Sequence, residues 1–113
     1  MELESFALVL LRSGPNADDF SHAELERFQA AHLGHLEAMT KAGKLAGAGP
    51  FSDQPDESLR GLCFYRCGTD EARELAERDP SVQAGRMAVD VMTWWTQKGS
   101  VSFNRTSRRS APD

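Results

Sequence analysis

The sequence predicts one α+β domain in the order β-α-β-β-α-β. Three observations carry the prediction. Phe6–Leu11 and Leu62–Tyr65 are apolar on both alternating faces, as strands inside a covered sheet are. Ser21–Ala42 repeats apolar residues at helical spacing, and a shorter helical stretch follows near Thr69–Arg78. Gly and Pro mark the segments between, including a weak strand at Lys44–Phe51.

The first strand is expected over Glu4–Arg12, and its two apolar faces place it at the centre of the sheet. Gly14-Pro15-Asn16 breaks the chain, and Ala17–Phe20 reads as loop. Ser21 opens the long helix, with Glu24 three residues on completing a capping box. Gly43 is the expected left-handed residue after its end, and Lys41 and Lys44 suit the negative pole of the dipole. The inward stripe is Leu25, Phe28, Leu36 and Met39, and His32 fills the gap in the middle of it.

Lys44–Phe51 contains Gly47, Gly49 and Pro50, which weaken a ladder, so this strand belongs at an edge. Ser52–Ser58 is polar loop, and Leu59–Cys67 is the second central strand. Thr69 or Asp70 is expected to cap the short helix, whose inner face is Ala72, Leu75 and Ala76. Pro80 forces Asp79 out of helical geometry, and Ser81–Gly85 reads as a turn. Arg86–Thr96 is the last strand, with Trp94 and Trp95 on opposite faces. Val101 and Phe103 alternate weakly and read as an extension of it or a further strand, and Asn104–Asp113 reads as a disordered, Arg-containing tail after a domain of residues 1–103.

This order is the ferredoxin-like plan, an antiparallel sheet with two helices on one face. Two helices cover one face only. The apolar second face calls for another cover, and a second copy of the chain is the simplest.

Composition narrows the function. With 113 residues, 40% hydrophobic and 27% charged, the chain has the mix of an ordinary globular domain. Folding at this size buries roughly two thirds of the unfolded surface, enough for a core without staples. The net charge of −4 argues against nucleic acid as a partner. The apolar run Phe6–Leu11 is too short to span a membrane, and Met-Glu-Leu-Glu at the start lacks the basic region of a signal peptide. Cys63 and Cys67 lie four apart on a strand, roughly 13 Å between Cα atoms, too far to bridge. They read as free thiols in a reducing, cytoplasmic compartment. No phosphate loop, dinucleotide fingerprint or metal-ligand spacing occurs, so no cofactor or metal is expected.

Ala31-His32-Leu33 with Leu36, Gly43-Lys44-Leu45, Gly49-Pro50, and Asp79-Pro80 with Ala84-Gly85 resemble the YCII-related (YciI-like) family in order and spacing. The resemblance covers most of the chain, from the first strand to Trp94. It implies a homodimer of the dimeric α+β barrel type with a pocket in each subunit, and a catalytic His–Asp pair, here His32 and Asp79. One related enzyme class removes HCl from a chlorinated hydroxyquinol, and muconolactone isomerases share the fold. Fold analogy alone does not transfer a reaction.

Each candidate residue has a plain reading and a functional one. His32 is either a buried neutral histidine bonded to backbone or a general base. Asp79 either caps the turn at Pro80 or orients the imidazole of His32. Gly49 and Pro50 are a strand end or the backbone wall of a substrate site. Trp94 is core, pocket lining or dimer seam. Arg12 is either solvated or a ligand for an anion. His22 and His35 read as surface residues. Two functions therefore stand side by side. One is a cofactor-free lyase or isomerase acting on a small-molecule ligand by proton transfer. The other is a non-catalytic small-ligand-binding or scaffold dimer.

Overall fold

A computed structural model describes residues 1–103 of the chain. The elements are β1 (Leu3–Ser13), α1 (His22–Lys41), β2 (Leu45–Pro50), β3 (Leu59–Tyr65), α2 (Thr69–Glu77), α3 (Pro80–Gln83) and β4 (Met87–Gln97). The strands form one antiparallel sheet in the order β2-β3-β1-β4. β1 and β3 are the central strands, and the Gly- and Pro-containing β2 is at an edge, as the sequence predicts.

The register sorts the residues into two faces. Ala7, Val9 and Leu11 of β1 and Cys63 and Tyr65 of β3 face the helices and form the core with Ala72, Leu75 and Ala76 of α2. Val9 is fully buried there. Leu8 and Leu10 point the other way, beside Phe64 and Met92 and beside Leu62 and Asp90. At one end of this second face Phe6, Phe64 and Trp94 pack together, and Phe103 closes over them with ring centroids 5.4 Å from Phe6 and 5.5 Å from Phe64. The segment after β4 is thus not a strand. It returns across the sheet because Gly47 leaves room: a Cβ there would lie 2.9 Å from the Phe103 ring.

Ser21 caps α1 as expected. Its hydroxyl accepts from the Glu24 amide at 3.2 Å, and the Glu24 carboxylate accepts from the Ser21 amide at 2.8 Å. Gly43 follows the helix with φ 77°. α2 starts without a side-chain cap. Gly68 occupies that position, and Thr69, one of the two expected caps, is already helical.

Two further differences lie after α2. Ser81–Gly85 is not a plain turn: Asp79 and Pro80 start the short helix α3, with Pro at the first helical position, where its missing N–H costs nothing. The loop after β1 is docked onto the end of that helix. Gly14 N–H donates to Arg86 O at 2.7 Å, and Asn16 N–H donates to Gly85 O at 2.8 Å. A Cβ on Gly14 would lie 2.3 Å from Gly85 O, so the approach requires glycine. The expectation for Asn104–Asp113 lies outside the described residues.

Candidate functional site

The two longer helices, α1 and α2, cover the sheet unequally. α2 buries Ala72, Leu75 and Ala76 outright, whereas no residue of α1 is fully buried. The space beneath α1 is a cavity of about 480 Å³. Its floor is made of small residues of β2 and β3, namely Ala48, Gly49, Gly61 and Cys63, and its roof of Leu25, His32 and Leu36. Leu25 and Leu36 of the apolar stripe on α1 thus line a hollow, and the histidine between them faces it.

His32 Nδ1 lies 2.5 Å from Asp79 Oδ2, and the two side chains are 13% and 4% exposed. Asp79 serves both functions that its sequence context suggests, one with each oxygen. Oδ1 accepts from the Ser81 amide at 2.9 Å and caps α3; Oδ2 takes the imidazole. The cap fixes the carboxylate relative to α3. Ser81 in turn fixes α3 relative to α1, because its buried hydroxyl donates to Phe28 O at 3.0 Å. The pair is therefore held by two backbone anchors and not by two mobile side chains. A carboxylate on Nδ1 selects the tautomer that carries its proton there, leaving Nε2 with a lone pair. Among the described residues Nε2 of His32 makes no hydrogen bond, and His32 lines the cavity.

Burial pushes the Asp79 carboxyl up, but the hydrogen bonds from His32 and the Ser81 amide outweigh it and hold the group below its ordinary range. The carboxylate is therefore ionised at neutral pH. Cys63, also on the cavity wall, is the opposite case. Burial, and then the charge of Asp79, push its thiol up to about 12. It is a protonated wall residue and not a nucleophile. Both cysteines are free thiols, Cys63 buried and Cys67 partly exposed. Alkylation of the native protein at neutral pH should therefore modify Cys67 well before Cys63, and both equally once the chain is unfolded. Mass spectrometry of the labelled peptides checks this, and rapid native labelling of Cys63 would contradict it.

The other candidates are divided between the two faces. Gly49 and Pro50 line the cavity. Arg12 and Trp94 do not: both belong to the second face of the sheet. Arg12 Nε donates to Asp90 Oδ2 at 2.6 Å, with Asp56 Oδ2 3.7 Å from Nη1, so its guanidinium already has carboxylate partners. Trp94 is held in the aromatic group, its ring 5.2 Å from that of Phe64. Trp95 is 61% exposed. His22 is at the surface beside Glu26, as expected. His35 is not a surface residue: it is half-buried, and its Nε2 is buried with no hydrogen-bond partner among the described residues.

Sequence reasoning misses Arg60 and Arg86, the cationic side chains of the cavity, and Asp18, brought to its mouth by the docked Gly14–Asn16 loop. An arginine at the start of a strand carries no local signal. Among the described residues no group of three or more His, Cys, Asp or Glu side chains could hold a metal ion. No described helix is long and apolar enough to cross a membrane.

The sequence pattern of the YCII-related domain matches residues 6–95. No curated protein matches the chain. Among solved structures, the chain is similar to 5-chloro-2-hydroxyhydroquinone dehydrochlorinase from Burkholderia phenoliruptrix AC1100, in complex with 2,5-dihydroxybenzoquinone. The identity is 25% over 79% of this chain and 92% of that one, with a TM-score of 0.56. A candidate PII-like signaling protein from Thermus thermophilus matches at 16% identity over 88% of this chain and 96% of that one. Its TM-score is 0.43.

Proposed function

The chain belongs to the YCII-related domain family, and from that premise we propose that it is a cofactor-free lyase or isomerase that moves a proton on a small-molecule metabolite. The observation that carries this reading is the 2.5 Å contact between His32 Nδ1 and Asp79 Oδ2 in the roof of a cavity of substrate size. His32 is the general base, and later the acid, through Nε2. Asp79 holds the tautomer and stabilises the imidazolium without itself taking the proton. In a lyase step Nε2 takes a proton from substrate, the C–H electron pair becomes a double bond, and the adjacent leaving group departs with its bonding pair. In an isomerase step the same proton returns to another carbon. Gly49 and Pro50 form the backbone wall against which the substrate lies. The similarity to a dehydrochlorinase supports the lyase form. The chemistry needs no redox partner, because only a proton and a leaving group move.

The test uses the dehydrochlorinase's own substrate, 5-chloro-2-hydroxyhydroquinone, and a panel of related phenols and lactones, with chloride or product release as readout. His32→Ala should lower turnover by about 10²–10⁴-fold. A variant as active as wild type ends the proposal. The non-catalytic reading would be favoured instead if ligands raise the melting temperature of wild type and His32→Ala alike while neither turns any of them over.

The protein further acts, in this reading, as a cytoplasmic homodimer whose subunits pack second face to second face. What supports it is the apolar character of that face. Leu8, Leu10 and Leu62 are only partly buried within one chain, and Met92 is 42% exposed. Phe103 shields one end and leaves these residues uncovered.

A further inference from the structure

We infer that the cavity takes an oxyanion, a carboxylate or an ionised enol or phenol, and that Arg86 is the side chain that holds its charge. The inference rests on the proposed reading of the His32–Asp79 site and adds the substrate class. The charged side chains on the cavity wall are Arg60, Arg86 and Asp18. Arg86 is half-buried just before β4, and its Nη1 donates to Leu25 O at 3.1 Å. That bond ties the guanidinium to the first turn of α1, and Arg86 and Leu25 both line the cavity. Only one of its five N–H donors is used there. No described ion pair includes Arg86 or Arg60, whereas Arg12 on the other face is paired with two aspartates.

A half-buried guanidinium without a counter-charge is costly unless something supplies one. Asp18 is exposed at the mouth and forms no ion pair with Arg86. Asp18 and Asp79 match Arg60 and Arg86 in number, but Asp79 is already engaged by His32 and the Ser81 amide, and neither carboxylate forms an ion pair with Arg86. The planar fork of an arginine suits a planar oxyanion. The placement also fits the reaction. When His32 Nε2 removes a proton from carbon, negative charge develops on the conjugated oxygen, and a fixed guanidinium stabilises it without reorganising. Arg86 is on this argument a specificity and charge-stabilising residue, with Arg60 adding a weaker, solvated contribution.

The experiment measures equilibrium dissociation constants, not turnover, for two matched pairs of probes. These are 2,5-dihydroxybenzoquinone, an anion at neutral pH, with its neutral ether 2,5-dimethoxybenzoquinone, and benzoate with benzamide. Wild type should prefer the anion in at least one pair. Arg86→Met should weaken that anion by about tenfold to a hundredfold and leave the neutral partner unchanged, and Arg86→Lys should lose less. Binding of the neutral probe also reports whether the variant's cavity is intact. Should Arg86→Met not fold, titration of wild type with chloride decides: the anion should weaken and the neutral probe should not. An unchanged anion affinity in Arg86→Met, a wild type that binds no anion, or a preference for the neutral probes overturns the inference. A failed catalytic reading shows separately, as His32→Ala with undiminished turnover.

Discussion

Asp79→Asn should lower kcat on any accepted substrate by about 10²–10⁴-fold while leaving ligand affinity nearly intact. The amide is almost the same size, so the cavity is not reshaped. What changes is the charge and the identity of the acceptor. An amide that still caps the Ser81 N–H with its oxygen turns its NH₂ toward His32. That group donates to Nδ1, so the ring proton moves to Nε2, where the lone pair is needed. Were the amide to rotate, α3 would lose its cap instead. The two roles of one carboxylate cannot both be met by an amide.

Stability should change with activity, and in a pH-dependent way. The folded-state pKa of Asp79 is depressed below its ordinary value of 3.8. The stability it contributes is therefore fully present above that value and is lost as pH falls through the lowered one. Asp79→Asn should cost about 1–3 kcal/mol at neutral pH, and the gap to wild type should narrow in acid. Urea unfolding at several pH values measures this. The double variant His32→Ala/Asp79→Asn should be no slower than His32→Ala alone, because the two residues act as one unit. Full activity in Asp79→Asn, or strictly additive losses, would remove the pair from the mechanism.

What can be read from the sequence, and what cannot, follows from the range of each signal. Periodicity is local, so β1, β3 and the stripe on α1 can be read directly, and His32 stands out as the polar member of that stripe. Asp79 is visible through Pro80, but only as a cap or a partner, since sequence cannot show that its two oxygens take one role each. Arg12 and Trp94 are drawn into the site because alternation assigns a residue to a face without saying which face the helices cover. Once Val9 is known to be buried under them, Arg12 must lie opposite, and Trp94 with it as the cross-strand neighbour of Phe6. Arg86 cannot be found at all. Its place depends on contacts between residues far apart in the chain, the Gly14–Gly85 approach and the bond to Leu25 O. α3 escapes because four residues are too few to show a period.

Leu8→Asp should leave no soluble, folded monomer. Leu8 lies at the middle of β1, between Phe64 of β3 and Met92 of β4, on the face away from the helices. In a single chain it is already partly buried by these neighbours, so the substitution places a carboxylate among apolar side chains without a described cation beside it. Arg12, the nearest candidate along the strand face, is held by Asp90 and Asp56. Within the proposed dimer the cost is doubled by symmetry, because a two-fold axis through paired sheet faces brings both copies of the central strand toward the same seam. An interface that hides this face should be mostly apolar and on the order of 2,000 Å² in total. Folding and association are then coupled, and the melting temperature of wild type should rise with protein concentration. Leu8→Asp should therefore yield aggregate or unfolded chain, whereas Ser5→Asp, near the strand's start, should be tolerated far better, since Ser5 is exposed. Light scattering at micromolar concentration gives the answer. A stable wild-type species of 12.5 kDa with a concentration-independent melting temperature would refute the dimer. The partial cover that Phe103 lays over Phe6 and Phe64 would then have to suffice for the whole face, and Phe103→Ala should in that case be the more damaging change.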